Sequence, residues 1–117
     1  MSFEIPKYAT GSVSPIKTVP SPKPRLAELF RRHADQWWKE TRVLSSIQAK
    51  IFNPNYQRII GMGEAALPFI FADLNERGGQ WYWALECITG ENPALEAGSL
   101  PEARLLWLDW AREHKYL

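Results

Sequence analysis

The 117 residues include 45% hydrophobic side chains and six tryptophans, enough to build the core of one domain and little else. With 14 Lys and Arg against 13 Asp and Glu the formal charge is +1, which argues against a general nucleic-acid binder or a membrane-surface protein, both usually far more basic. Cys87 is the only cysteine, so the chain forms no internal disulfide and no cysteine-based zinc site.

Residues 1–24 hold Pro6, Pro15, Pro20, Pro22 and Pro24 among Ser, Thr, Lys and Gly, a composition that sustains neither a helix nor a sheet interior. This stretch reads as an extended arm, with 25–117 as a single helical domain. Phe3, Ile5, Tyr8, Val13, Ile16 and Val19 are more apolar residues than a linker needs. Two readings follow: a tail left free, as termini usually are, or an arm that docks on its own domain or on a partner. Met1 to Thr10 has no apolar core of a signal peptide, and no apolar run approaches membrane-spanning length. The cytoplasm is the expected compartment.

From Arg25 to Phe52 the residues Leu26, Phe30, His33, Trp37, Leu44, Ile47 and Ile51 recur at spacings of three, four or seven and predict a helix, or two. Ser45 and Ser46 compete for backbone groups, so a break is expected between Thr41 and Ile47. Asn53-Pro54 is a helix start: the Asn side chain accepts from a free N–H, and proline gives up only a donor that has no partner there. A short helix through Ile60 should end at Gly61, in a left-handed cap.

A further helix is predicted from Glu64 to Arg77, with Leu67, Ile70, Phe71 and Leu74 on one face, Glu64 in its first turn and Pro68 bending it slightly. Gly78 and Gly79 end it. Gln80 to Thr89 is apolar almost all round, which predicts a central helix covered on most sides, with Cys87 a small buried hydrophobe. Glu91-Asn92-Pro93 forms a turn, and Leu100-Pro101 opens a last helix with Ala103, Leu106, Trp107, Trp110, Ala111 and His114 along one face. No segment shows sustained period-two alternation. The fold class is therefore all-α, a bundle of about five helices.

The run Gly-Glu-Ala-Ala-Leu-Pro-Phe-Ile-Phe-Ala-Asp-Leu (63–74), a two-glycine turn, and Trp-Ala-Leu-Glu-Cys-Ile-Thr-Gly (83–90) together resemble one HEAT-type helical hairpin. In such repeats the first helix often starts Ala-Leu-Pro and the second carries Ala-Leu-x-x-Ile. HEAT proteins stack several such units, whereas one unit and a degenerate neighbour fit here, so the concave surface of a solenoid is not implied. The core as a whole resembles a group of small uncharacterised bacterial all-helical proteins with Trp-Lys-Glu-Thr, Tyr-Gln-Arg-Ile-Ile-Gly-Met-Gly and Trp-Ala-Leu-x-x-Ile-Thr-Gly in this order. That resemblance implies no catalytic residues.

Enzymatic chemistry finds little support in the spacing. Gly61-Met62-Gly63 lacks the Lys-Ser or Lys-Thr of a phosphate loop, and His33 and His114 lie on different predicted helices with no convergent partner. Glu64, Asp73, Glu76 and Glu86 read as solvated charges. No catalytic residue, cofactor or metal is expected.

Adjacent Trp37 and Trp38 cannot face the same side of a helix, and Trp and Arg are the residue types enriched at interface hot spots. Trp37, Trp38, Glu40, Tyr56 and Arg58 are therefore the candidate partner-binding residues, although large aromatics also fill cores. The expected function is a non-enzymatic protein-interaction module of antitoxin, immunity or adaptor type. Its partner would be another protein, such as a toxin or effector encoded nearby. The alternative is a nucleic-acid-binding accessory protein using Lys17, Lys23, Arg25, Arg31 and Arg32, against which the near-neutral charge counts.

Overall fold

The computed structural model describes residues 22–117, and the arm expected for 1–24 lies almost wholly outside them. Among the described residues there are six α-helices and no strand: α1 (Pro22–Thr41), α2 (Ile47–Ile51), α3 (Pro54–Gly61), α4 (Leu67–Glu76), α5 (Tyr82–Thr89) and α6 (Leu100–Glu113). The all-α expectation holds, with one helix more than the five counted from sequence. The extra helix arises because the chain breaks where Ser45 and Ser46 suggested. Thr41 Oγ1 donates back to the Trp37 carbonyl as α1 ends, and Ser46 Oγ accepts from the Ala49 N–H to start α2.

Helix α1 begins at Pro22, three residues before the expected boundary, and buries Phe30, Ala34, Trp37 and Thr41 at helical spacing against α3. The apolar stripe does not continue into the core beyond Thr41, since Leu44 and Ile47 are exposed. Asn53 caps α3 by accepting from the Asn55 N–H at 2.8 Å, as its sequence indicates. Gly61, however, is the last residue of α3 itself, and the left-handed residue is Gly63, at φ +69°. A single 3-10 turn, Gly63–Ala66, then replaces the expected start of a helix at Glu64. Pro68 explains the delay: proline suits the first turn of an α-helix, and α4 accordingly begins at Leu67.

Leu67, Ile70, Phe71 and Leu74 are all buried, as their spacing predicts. Helix α4 packs on α6, and α5 packs on α3 and α4. Ser99 Oγ caps α6 by accepting from the Glu102 N–H. At the other end Lys115 is left-handed (φ 65°), so that the Tyr116 N–H reaches the Ala111 carbonyl and the Tyr116 ring lies over Trp110.

Helix α5 departs most from its sequence expectation. Ala84 and Leu85 are buried, but Trp83 and Cys87, one turn apart on another face, are exposed. The helix lies at the border of the core, with Trp83 46% exposed on its open face.

Candidate functional site

The five residues expected to form a partner surface separate. Trp37 is 2% exposed and Tyr56 is fully buried, so neither is available to a partner in this conformation. Their rings pack with Trp81: Tyr56 stacks on it at 5.6 Å and 11°, and Trp37 lies 4.6 Å from it. The correction has a simple cause, since this is where α1 and α3 meet the start of α5 and the largest volume has to be filled. The Tyr56 hydroxyl donates to the Gln80 carbonyl at 2.7 Å and accepts from the Ala84 N–H at 2.9 Å. Burial pushes its pKa well above the ordinary tyrosine range.

Trp38 is half-buried beneath the glycine turn, where a Cβ on Gly79 would stand 2.8 Å from its ring. The Gly79 φ of +99° is open to glycine alone, so close approach and backbone conformation require the same residue. Asp73, expected to be a solvated charge, is 11% exposed at its side chain. It accepts from the indole N–H groups of both Trp38 (3.3 Å) and Trp81 (2.9 Å) and from Arg77 Nε (2.8 Å). Arg77 also reaches Asp35 on α1 at 3.2 Å and sits over the Trp38 ring. The only sequence signal for this hub was the i, i+4 spacing of Asp73 and Arg77.

Glu40 and Arg58 are exposed. Hydrogen bonds from Asn53 and then Gln36, with a lesser one from Asn55, hold the Glu40 carboxyl below the usual carboxylate range. It thus ties the end of α1 to the start of α3. His33 Nδ1 lies 2.9 Å from Asn55 Oδ1, and the His114 ring stacks on Trp110 at 3.7 Å, so the histidines are far apart in role and place. Among the described residues no three His, Cys, Asp or Glu side chains gather into a possible metal site. Cys87, expected inside the core, is exposed on α5, and partial burial and then Glu86 raise its thiol pKa.

A different surface is left open. A groove of about 470 Å³ runs between α2 on one side and α5, the 90–99 loop and the start of α6 on the other. Helix α2 buries no side chain; it is held as a wall by the Trp37 Nε1 bond to the Lys50 carbonyl and the Gln57 Nε2 bond to the Ile51 carbonyl. Ile47 and Ile51 line that wall. Opposite stand Tyr82, Trp83 and Glu86 of α5 and Leu100, Ala103 and Trp107 of α6, the last three at helical spacing. Asn92 shapes the intervening loop by accepting from the Ala94 N–H through its side chain and from the Leu95 N–H through its carbonyl.

Ile47 is 53%, Trp83 46% and Leu100 52% exposed around this groove. Sequence periodicity missed it because Ile47 and Trp83 also read as core and Leu100 as a helix start. A hint was available in the charges: from Gly78 to Ala103 the chain has Glu86, Glu91, Glu96 and Glu102 and neither Lys nor Arg.

A second hollow of about 360 Å³ lies between α1 and α4, over Phe30 and Phe69. Of its charged lining residues Arg31, Asp35, Asp73, Glu76 and Arg77, three are paired with one another, Arg77 with Asp35 and Asp73. No helix among the described residues is long and apolar enough to cross a membrane. Compared with known proteins, the chain matches no family model, no curated protein and no solved structure.

Proposed function

We propose that this domain is a non-enzymatic protein-interaction module of the cytoplasm, and that it takes a polypeptide segment into the groove between α2, α5 and α6. The supporting observation is the ring of half-exposed Ile47, Trp83 and Leu100 about one groove, in a domain whose other tryptophans are all buried or half-buried. Glu86 is the one charged side chain that lines the groove, so the fitting ligand is an apolar segment that carries a Lys or Arg to meet it. Roles of antitoxin, immunity or adaptor type all rest on such capture of another chain. A HEAT-like hairpin formed by α4 and α5 belongs to the same reading, because the α5 face left unpacked is where a stacked neighbour would sit. The basic side chains of α1 are interleaved with Glu28 and Asp35, which favours the protein ligand over a nucleic acid.

The test is an array of synthetic peptides that share apolar residues and differ only in whether Lys or Glu flanks them, probed with the full chain. The expected result is retention of the lysine-flanked peptides, weakened by salt, lost in Trp83→Asp and unchanged in Arg58→Ala. Equal retention by Trp83→Asp, or no preference for lysine, would overturn the groove as the site.

A further inference from the structure

The chain itself contains a segment with the chemistry this groove asks for. Phe3-Glu4-Ile5-Pro6-Lys7-Tyr8 lies before the described residues. Bound as an extended backbone, in which alternate side chains share a side, this segment would present Phe3, Ile5 and Lys7 together and Glu4 on the other side. Two apolar side chains followed by a base match an apolar groove with Glu86 at its edge.

Reach permits the match within one chain. The hydrogen bond from Trp37 to the Lys50 carbonyl sets the α2 wall beside the second half of α1, about 20–25 Å along the helix from Pro22 at its normal rise. An extended stretch from Tyr8 to Pro22 spans at most about 45–50 Å. That length exceeds the distance to be covered.

We propose that Phe3 to Tyr8 of this chain occupies the groove, with Phe3 and Ile5 between Ile47 and the Trp83–Leu100 side and Lys7 opposite Glu86. The inference rests on the groove being a polypeptide site, as proposed above, and adds a regulator to it. A partner gains the groove only by displacing the chain's own segment, so its apparent affinity is reduced by the fraction of time the segment is bound.

Cys87 makes the test possible on the full chain, because it is the sole cysteine, is exposed, and lies one turn from Trp83 without lining the groove. A nitroxide placed on it broadens the NMR signals of nearby amides. The expected result is loss of the Phe3–Tyr8 amide signals, deeper than for Gly11–Ser14, and their recovery in Ile47→Asp and Leu100→Asp, whose native side chains are exposed. Broadening that varies smoothly along the segment, or that survives both substitutions, overturns the proposal. A mixture of isotope-labelled Cys87→Ser chain with unlabelled, nitroxide-bearing chain reads exchange between copies; losses in that mixture overturn occupancy within one chain. The experiment needs no partner, so its failure leaves the peptide-array result standing, and the reverse also holds.

Discussion

Trp81 and Trp83 are two residues apart and end in opposite surroundings. Trp81 is fully buried among Phe30, Trp37 and Tyr56 with its N–H bonded to Asp73. Trp83 is half-exposed at the groove and has no hydrogen-bond partner among the described residues. The difference lies in what packs over each. The Trp81 side receives α1 and α3, whereas Trp83 looks into the groove that α2, the loop after α5 and the start of α6 leave between them. One region of this domain is thus closed by mutual packing and polar satisfaction, and the other is left for an additional chain to close.

The most severe way to break the closed region is Trp81→Ala. Truncating a buried tryptophan costs about 3–5 kcal/mol, and here it also removes a donor from the partly buried Asp73. Against a typical total stability of about 5–15 kcal/mol, the variant should lose much of its resistance to urea, read as a large fall in the unfolding midpoint. Tyr56→Phe is the gentler form. It keeps the ring stack but strips partners from the Gln80 carbonyl and the Ala84 N–H, which should cost about 2 kcal/mol by the same measurement. A negligible loss would mean that water reaches this region and that it is not closed.

pH provides a third probe of the same hydroxyl. Burial raises the Tyr56 pKa, so the native state keeps a proton that the unfolded chain releases near pH 10. The stability it supports is fully present below about pH 10 and is lost as pH climbs through the raised native value. Tyr82, also raised by burial and lowered by Arg104, should add a smaller component. Denaturation followed from pH 9 to 12 should therefore show a decline that is less steep in Tyr56→Phe, and parallel curves would sink the assignment. On the acid side the sign reverses. Glu40 is held below its ordinary pKa, so its contribution is present above the unfolded value and disappears as pH falls through the lowered one, a minor effect at a fully exposed carboxyl.

Residues whose role is set by their own helix were readable from sequence, and those set by a second element were not. Leu67, Ile70, Phe71 and Leu74 announced a buried face by spacing alone, and Ser46 and Asn53 act through backbone groups within three residues of themselves. Asp73 depends on Trp38, 35 residues away, so its spacing with Arg77 suggested only a surface pair. Trp37 and Tyr56 drew notice as interface types because composition at hot spots and in cores is the same. Gly61 was expected to be the left-handed cap, but α3 runs through it and Gly63 takes that conformation. The open groove was least legible, since an apolar helix signals burial without saying which of its faces will find a cover.

The smallest expected effect gives the sharpest comparison. Trp83→Ala removes the same side chain as Trp81→Ala, yet its indole is 46% exposed and gives up no hydrogen bond among the described residues. Exposed substitutions usually stay within about 0.5 kcal/mol, and the part of this ring that faces Tyr82 and the groove adds little to that. With nothing seated in the groove, its urea midpoint would lie close to that of the wild type. If the N-terminal segment covers the groove in the isolated protein, Trp83→Ala should instead destabilise measurably, and a charge at Lys7 should begin to matter: Lys7→Glu, far from the closed core in sequence, should then produce a loss of its own. Equal midpoints for wild type, Trp83→Ala and Lys7→Glu would mean that the groove stands open until a partner fills it.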